Sequence, residues 1–84
     1  IAGSDGATAT VSLGYYNEED GTVSVTFSND SDKPATICCK IYYGNTSTVV
    51  GSDCAMVQPR SEVTKTIPVS NKPGNIEVSS ARCQ

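Results

Sequence analysis

Cysteine is the residue with the most chemistry to offer in this chain, and its spacing is unusual. Cys38 and Cys39 are adjacent, and Cys54 and Cys83 complete a set of four. A four-thiolate zinc site normally uses C-x2-C spacing, which is absent, so the thiols are expected to form two disulfides. In a strand, successive side chains point to opposite faces, so the adjacent pair can bridge in two directions, one inward and one along the outer face. Such bridges persist in oxidising compartments, which predicts a secreted or extracellular protein. With no histidine there is no Ser-His-Asp or Cys-His arrangement and no imidazole base near neutral pH. No catalytic residue, metal or cofactor is expected, and the chain reads as a non-enzyme.

The remaining polar candidates suit recognition. Four of the five aromatic residues are tyrosines in two adjacent pairs, Tyr15-Tyr16 and Tyr42-Tyr43. Strict alternation sends one ring of each pair inward and places Tyr16 and Tyr42 on the surface. There a large, stiff ring with a hydrogen-bonding tip suits a protein or carbohydrate partner. Glu18 and Glu19, followed by Asp20, sit in the turn after the first pair and are candidate partner contacts or a solvated tip. Asp30 and Asp32 have the alternate spacing of calcium loops but lie in a turn cluster that accounts for them without an ion. Asn29 and Asn45 head Asn-x-Ser sequons and are candidate glycan acceptors.

These residues need elements to hold them, and the periodicity supplies strands. Val23, Val25 and Phe27 alternate with Thr22, Ser24 and Thr26; Ile37, Cys39, Ile41 and Tyr43 alternate with Cys38, Lys40 and Tyr42. Such two-residue periods, rich in Val and Thr, mark half-buried strands. Strands are predicted over 7–16, 22–27, 36–43, 48–57, 62–69 and 75–83, after a flexible lead-in at 1–6. The first two should form a hairpin. A bulge or kink is expected at Gly51-Ser52-Asp53. Lys65 shares the inward parity of Val63 and Ile67 and must snorkel at an edge or follow a bulge. The predicted fold is all-β, a small six-stranded antiparallel sandwich of immunoglobulin-like type, forming one domain over 7–84.

A chain of 84 residues buries a small share of its surface. Two disulfides would add roughly 6 kcal/mol on the chain-entropy model. Four cysteines allow three pairings. If the third strand lies between the fourth and the sixth, Cys39 can face Cys54 and Cys38 can face Cys83. A vicinal bridge is disfavoured by the short separation of adjacent Cα atoms. The net charge of −3, with six basic residues spread singly, argues against nucleic acid, and no apolar run is long enough to span a bilayer. Because the chain starts at Ile1, a removed leader or a preceding domain is expected.

The stretch from Val23 to Val69, with Asn29-Asp30-Ser31-Asp32-Lys33-Pro34, Tyr42-Tyr43, Val49-Val50-Gly51 and Val57-Gln58-Pro59-Arg60-Ser61-Glu62, resembles bacterial extracellular immunoglobulin-like domains of the FxLYD type. The Phe-x-Leu-Tyr-Asp element itself is absent. Cys54-Ala55-Met56-Val57-Gln58-Pro59 and the closing Ala81-Arg82-Cys83 are similar to the C-terminal half of the streptomycete α-amylase inhibitors. That resemblance implies a six-stranded sandwich with two disulfides. The family inhibits through a Trp-Arg-Tyr triplet on its first hairpin, where this chain has Tyr15-Tyr16-Asn17-Glu18 and no Trp, so the activity does not carry over. The expectation is a non-catalytic secreted or cell-surface protein that binds a protein or carbohydrate, or else a free effector, an inhibitor or toxin. Its oligomeric state is left open.

Overall fold

The computed structural model describes residues 9–83, with Cys83 as backbone only. The expected lead-in at 1–6, and the Ala7 and Thr8 assigned to the first strand, lie outside the described residues. Six strands follow one another: β1 (Ala9–Asn17), β2 (Thr22–Asn29), β3 (Ala35–Tyr43), β4 (Val49–Val57), β5 (Ser61–Pro68) and β6 (Pro73–Cys83), with no helix among the described residues. They form two antiparallel sheets of three strands, in the orders β1-β2-β5 and β4-β3-β6. The expected β1–β2 hairpin is present, and β3 lies between β4 and β6.

One core holds the two sheets together. In β2, Val23, Val25 and Phe27 are buried at every second position; in β3, Ala35, Ile37, Cys39 and Ile41 are. Ile67 of β5, Ala55 and Val57 of β4 and Ala81 of β6 close the cluster. Burying a Val, Ile or Phe side chain stabilises by roughly 1.5–3 kcal/mol, so this strip carries most of the apolar driving force.

Bulges decide where simple alternation fails. Between β1 and β2, Leu13 faces Val25 and Tyr16 faces Val23, so Gly14 and Tyr15 occupy the place of one residue. A Cβ on Gly14 would collide with the Ser24 hydroxyl, so glycine fits there. The bulge inverts the tyrosine pair: Tyr16 is half-buried against the core and Tyr15 is 75% exposed. The expectation that Tyr16 lies on the surface is corrected, because it assumed an unbroken period of two.

A second bulge does the same to β4. Ile41 faces Gly51 and Tyr42 faces Val49, which leaves Val50 as the extra residue, next to the expected Gly51-Ser52-Asp53 site. Beyond it Ala55 and Val57 point inward, while Cys54 and Met56 point out. A one-residue change of phase moves a strand's whole side-chain set to the other face. The disulfide pairing is corrected with it. Cys38, not Cys39, faces Cys54, and the Cys38–Cys54 bridge spans them with Cα atoms 4.0 Å apart on the outer face. Cys38 is therefore not available to Cys83. Cys39 is a buried free thiol that burial pushes above its ordinary pKa. Cys83 is aligned with Ala35, four residues along β3 from Cys39. That is about 13 Å at the strand rise, beyond disulfide reach.

Lys65 snorkels, as its parity requires. Its ammonium lies 3.1 Å from an Asp53 carboxylate oxygen and donates to the Cys54 carbonyl at 2.9 Å. Both charges are in inward phase on edge strands of different sheets, and the pair caps that side of the core.

Candidate functional site

The strands alternate in direction, so the β1–β2, β3–β4 and β5–β6 turns share one end of the molecule. Most of the candidate residues sit at or near that end. The outer face of the β4-β3-β6 sheet brings several together. Lys40 stands between Ser52 on β4 and Glu77 on β6; Tyr42 stands between Val49 and Asn75. The Cys38–Cys54 bridge lies on the same face, one step further along β3.

Three features fix the tyrosine and the turn beside it. The Tyr42 hydroxyl donates to the Glu77 carboxylate, and this bond, above all, raises the phenol above its ordinary pKa. The 44–48 turn closes on Tyr43, whose N–H donates to the Thr48 carbonyl and whose carbonyl accepts from the Thr46 N–H, both at 2.9 Å. Gly44 has φ 51°, a left-handed conformation that glycine adopts without penalty. The backbones of Gly44 and Gly74 also approach so closely that a Cβ on Gly74 would collide with Gly44. This contact sets the turn beside Asn75.

An open groove of about 540 Å³ results, lined by Lys40, Tyr42, Val49, Asn75 and Glu77 from the sheet and by Asn45 from the turn. Its charges are one cation and one anion. Lys40 forms no ion pair among the described residues, although Glu77 is its cross-strand neighbour. The groove therefore presents donors, acceptors and a ring without net charge, within the roughly 300–1,000 Å³ range of small-molecule sites.

The other predicted residues fall elsewhere. Glu18 and Glu19 are exposed in the β1–β2 turn, at the same end but on the other sheet. That turn is closed by Asn17, whose side-chain oxygen accepts from the Glu19 and Asp20 N–H groups at 3.1 and 3.2 Å. Asn45 is an exposed sequon asparagine. Asn29 is not: it is 2% exposed, and its amide nitrogen donates to the Lys33, Val57 and Gln58 carbonyls at 2.8, 3.0 and 3.3 Å. The atom that would carry a glycan is thus used inside the fold, and the expectation of a glycan at Asn29 is corrected. Tyr43, expected inward, is 43% exposed as the last residue of β3.

At the opposite end, Arg60 joins the β4–β5 turn to the β2–β3 loop. Its φ is 54°, where a non-glycine residue is strained. Its guanidinium donates to Asp32 at 2.7 and 3.1 Å and stands 3.8 Å from Asp30. The alternating aspartates hold an arginine, and the arrangement is a clasp between two loops.

Lys40, Asn75 and Glu77 were not singled out from sequence, although a signal for two of them existed. Lys40 is out of phase with Ile37 and Ile41, and Glu77 with Ile76 and Val78, so both were legible as outward. Their being neighbours required the β3–β6 register. Compared with known families, curated proteins and solved structures, the chain matches none of them. No helix among the described residues is long and apolar enough to cross a membrane.

Proposed function

We propose that this chain is a non-catalytic extracellular binding module, an immunoglobulin-like sandwich that engages a protein or carbohydrate partner through the outer face of its β4-β3-β6 sheet. The observation that carries this reading is the groove around Tyr42, where an oriented ring and the side chains of Lys40 and Glu77 lie together on an open sheet face. The sheet orders β1-β2-β5 and β4-β3-β6 correspond to strands A-B-E and C′-C-F of immunoglobulin-like domains, which supports the fold assignment. The disulfide on the outer face supports an extracellular location, because an accessible bridge needs oxidising surroundings.

A second reading, a free secreted inhibitor or toxin, is favoured by Tyr15. The bulge on the first hairpin lifts this ring fully into solvent. That hairpin is the element that the amylase-inhibitor resemblance makes responsible for contact. One experiment separates the two. The immobilised protein is exposed to extracellular polysaccharide and secreted-protein fractions, alongside Tyr42→Ala and Tyr15→Ala variants. Retention lost only in Tyr42→Ala supports the sheet-face module; retention lost only in Tyr15→Ala supports the effector. Equal retention by all three proteins overturns both.

A further inference from the structure

We infer that the groove around Tyr42 is a site for a neutral saccharide, an inference that rests on the sheet-face binding reading and narrows its ligand. The chemistry of the walls selects among ligand classes. An anion would meet the Glu77 carboxylate, and a cation would meet the Lys40 ammonium, because the two stand side by side on adjacent strands. An apolar ligand would strip water from both charges and from the amides of Asn45 and Asn75 without replacing those hydrogen bonds. A pyranose ring meets every requirement. Its hydroxyls both donate and accept, matching a carboxylate, an ammonium and two amides, while its C–H face lies on an aromatic ring.

The geometry favours the same class. Tyr42 is on the central strand of its sheet, and its ring is held by the bond from its hydroxyl to Glu77, so little rotamer freedom remains to be lost on binding. The carboxylate keeps a second oxygen for a sugar hydroxyl, since Tyr42 engages Oε1. The 44–48 turn, pinned by the Tyr43–Thr48 bond and by the Gly44–Gly74 contact, holds Asn45 at the groove. The opposite sheet carries a pocket of about 580 Å³ at its other end, beside Thr10, Ser28, Arg60 and Glu62, but no aromatic ring lines it.

The test is an amide chemical-shift titration of the isotopically labelled protein, produced without glycosylation so that Asn45 is bare. The probes are cellotriose, maltotriose, mannotriose and chitotriose. The expected result is saturable shifts, for at least one probe, at Lys40, Tyr42, Asn45, Asn75 and Glu77. Tyr42→Ala should weaken that binding at least tenfold, Tyr42→Phe should weaken it less because the ring remains, and Tyr15→Ala should leave it unchanged. Shifts absent for all four probes, or equal affinity in Tyr42→Ala, overturn the saccharide assignment. If Tyr42-dependent retention of a secreted protein persists when the sugars fail, the sheet-face reading stands and only the ligand class falls. If that retention is also absent, both fall.

Discussion

The two outer faces of this molecule obey one rule of alternation and yet differ in kind. On β1-β2-β5 the outward residues are mostly hydroxyls: Thr10, Ser12, Ser24, Thr26, Ser28, Thr64 and Thr66. Several of them have local partners. Thr26 bonds Thr64 at 3.0 Å, Ser28 reaches Glu62 at 3.4 Å, and Ser24 accepts the Tyr15 N–H at 2.9 Å. On β4-β3-β6 the outward residues include Thr36, Ser52 and Ser80 but also a disulfide, Lys40, Tyr42, Met56, Glu77 and Arg82. Packing constrains neither outward face as it constrains the core. The hydroxyl face carries short cross-strand pairs, Thr26 with Thr64 and Ser28 with Glu62. The other is stapled by a covalent bond and sets Lys40 and Glu77, groups of opposite charge, side by side.

The largest effect that separates the faces is that staple. Replacing Cys38 and Cys54 with Ser should lower stability by about 3 kcal/mol, the chain-entropy value for a loop near 15 residues, since the bridge closes a separation of 16. Urea denaturation reads this directly, and an unchanged midpoint would show that the β3–β4 pairing holds without the bond. Next comes the inverted tyrosine pair. Tyr16→Ala should cost about 2 kcal/mol, less than the roughly 3–5 of a fully buried ring, because Tyr16 is only half-buried. Tyr15→Ala should cost under about 0.5 kcal/mol, as exposed substitutions do. Equal costs would remove the β1 bulge from the account. The cross-strand pair on the hydroxyl face should be smaller still: a double-mutant cycle of Thr26→Ala and Thr64→Ala should give a coupling of roughly 0.2–1 kcal/mol. A coupling near zero would mean that the face is no more than solvated.

How much of this was legible in sequence follows from where the period holds. β2 and β3 were readable because Val23, Val25, Phe27, Ile37 and Ile41 keep strict phase, and central strands packed against a core cannot drift from it. The edge strands were not readable to the same degree. β1 and β4 each admit one extra residue; Gly51 marked the β4 bulge to within a position, but nothing at Gly14 marked the β1 bulge, and neither signal fixed the phase that follows. The errors of side at Tyr16 and Cys54 lie beyond those insertions. Asn29 misled for another reason. As a sequon in a turn cluster it looked exposed, yet its parity with Val25 and Phe27 already pointed inward, and a buried amide that bonds three carbonyls is invisible without the partner loops. The groove needed register across sequence-distant strands, which no local pattern contains.

The smallest effect concerns the charge pair at the side of the core, and its sign can be worked out in advance. Asp53 accepts the Cys54 N–H and faces Lys65, and these contacts hold its carboxyl below its ordinary value of 3.8. A carboxyl whose pKa is lower in the folded state than in the unfolded chain stabilises the fold above the unfolded value. That contribution is lost as pH falls through the folded value. Asp53 is only partly buried, so the contribution is modest, as for other partly exposed pairs. In Asp53→Asn the loss of stability as pH falls below the ordinary carboxyl value should therefore be shallower than in the native chain, and near neutrality the variant should be slightly less stable. The stability-against-pH curve of the two proteins measures this, and parallel curves would show that Lys65 closes the side of the core through its alkyl chain and its bond to the Cys54 carbonyl rather than through charge.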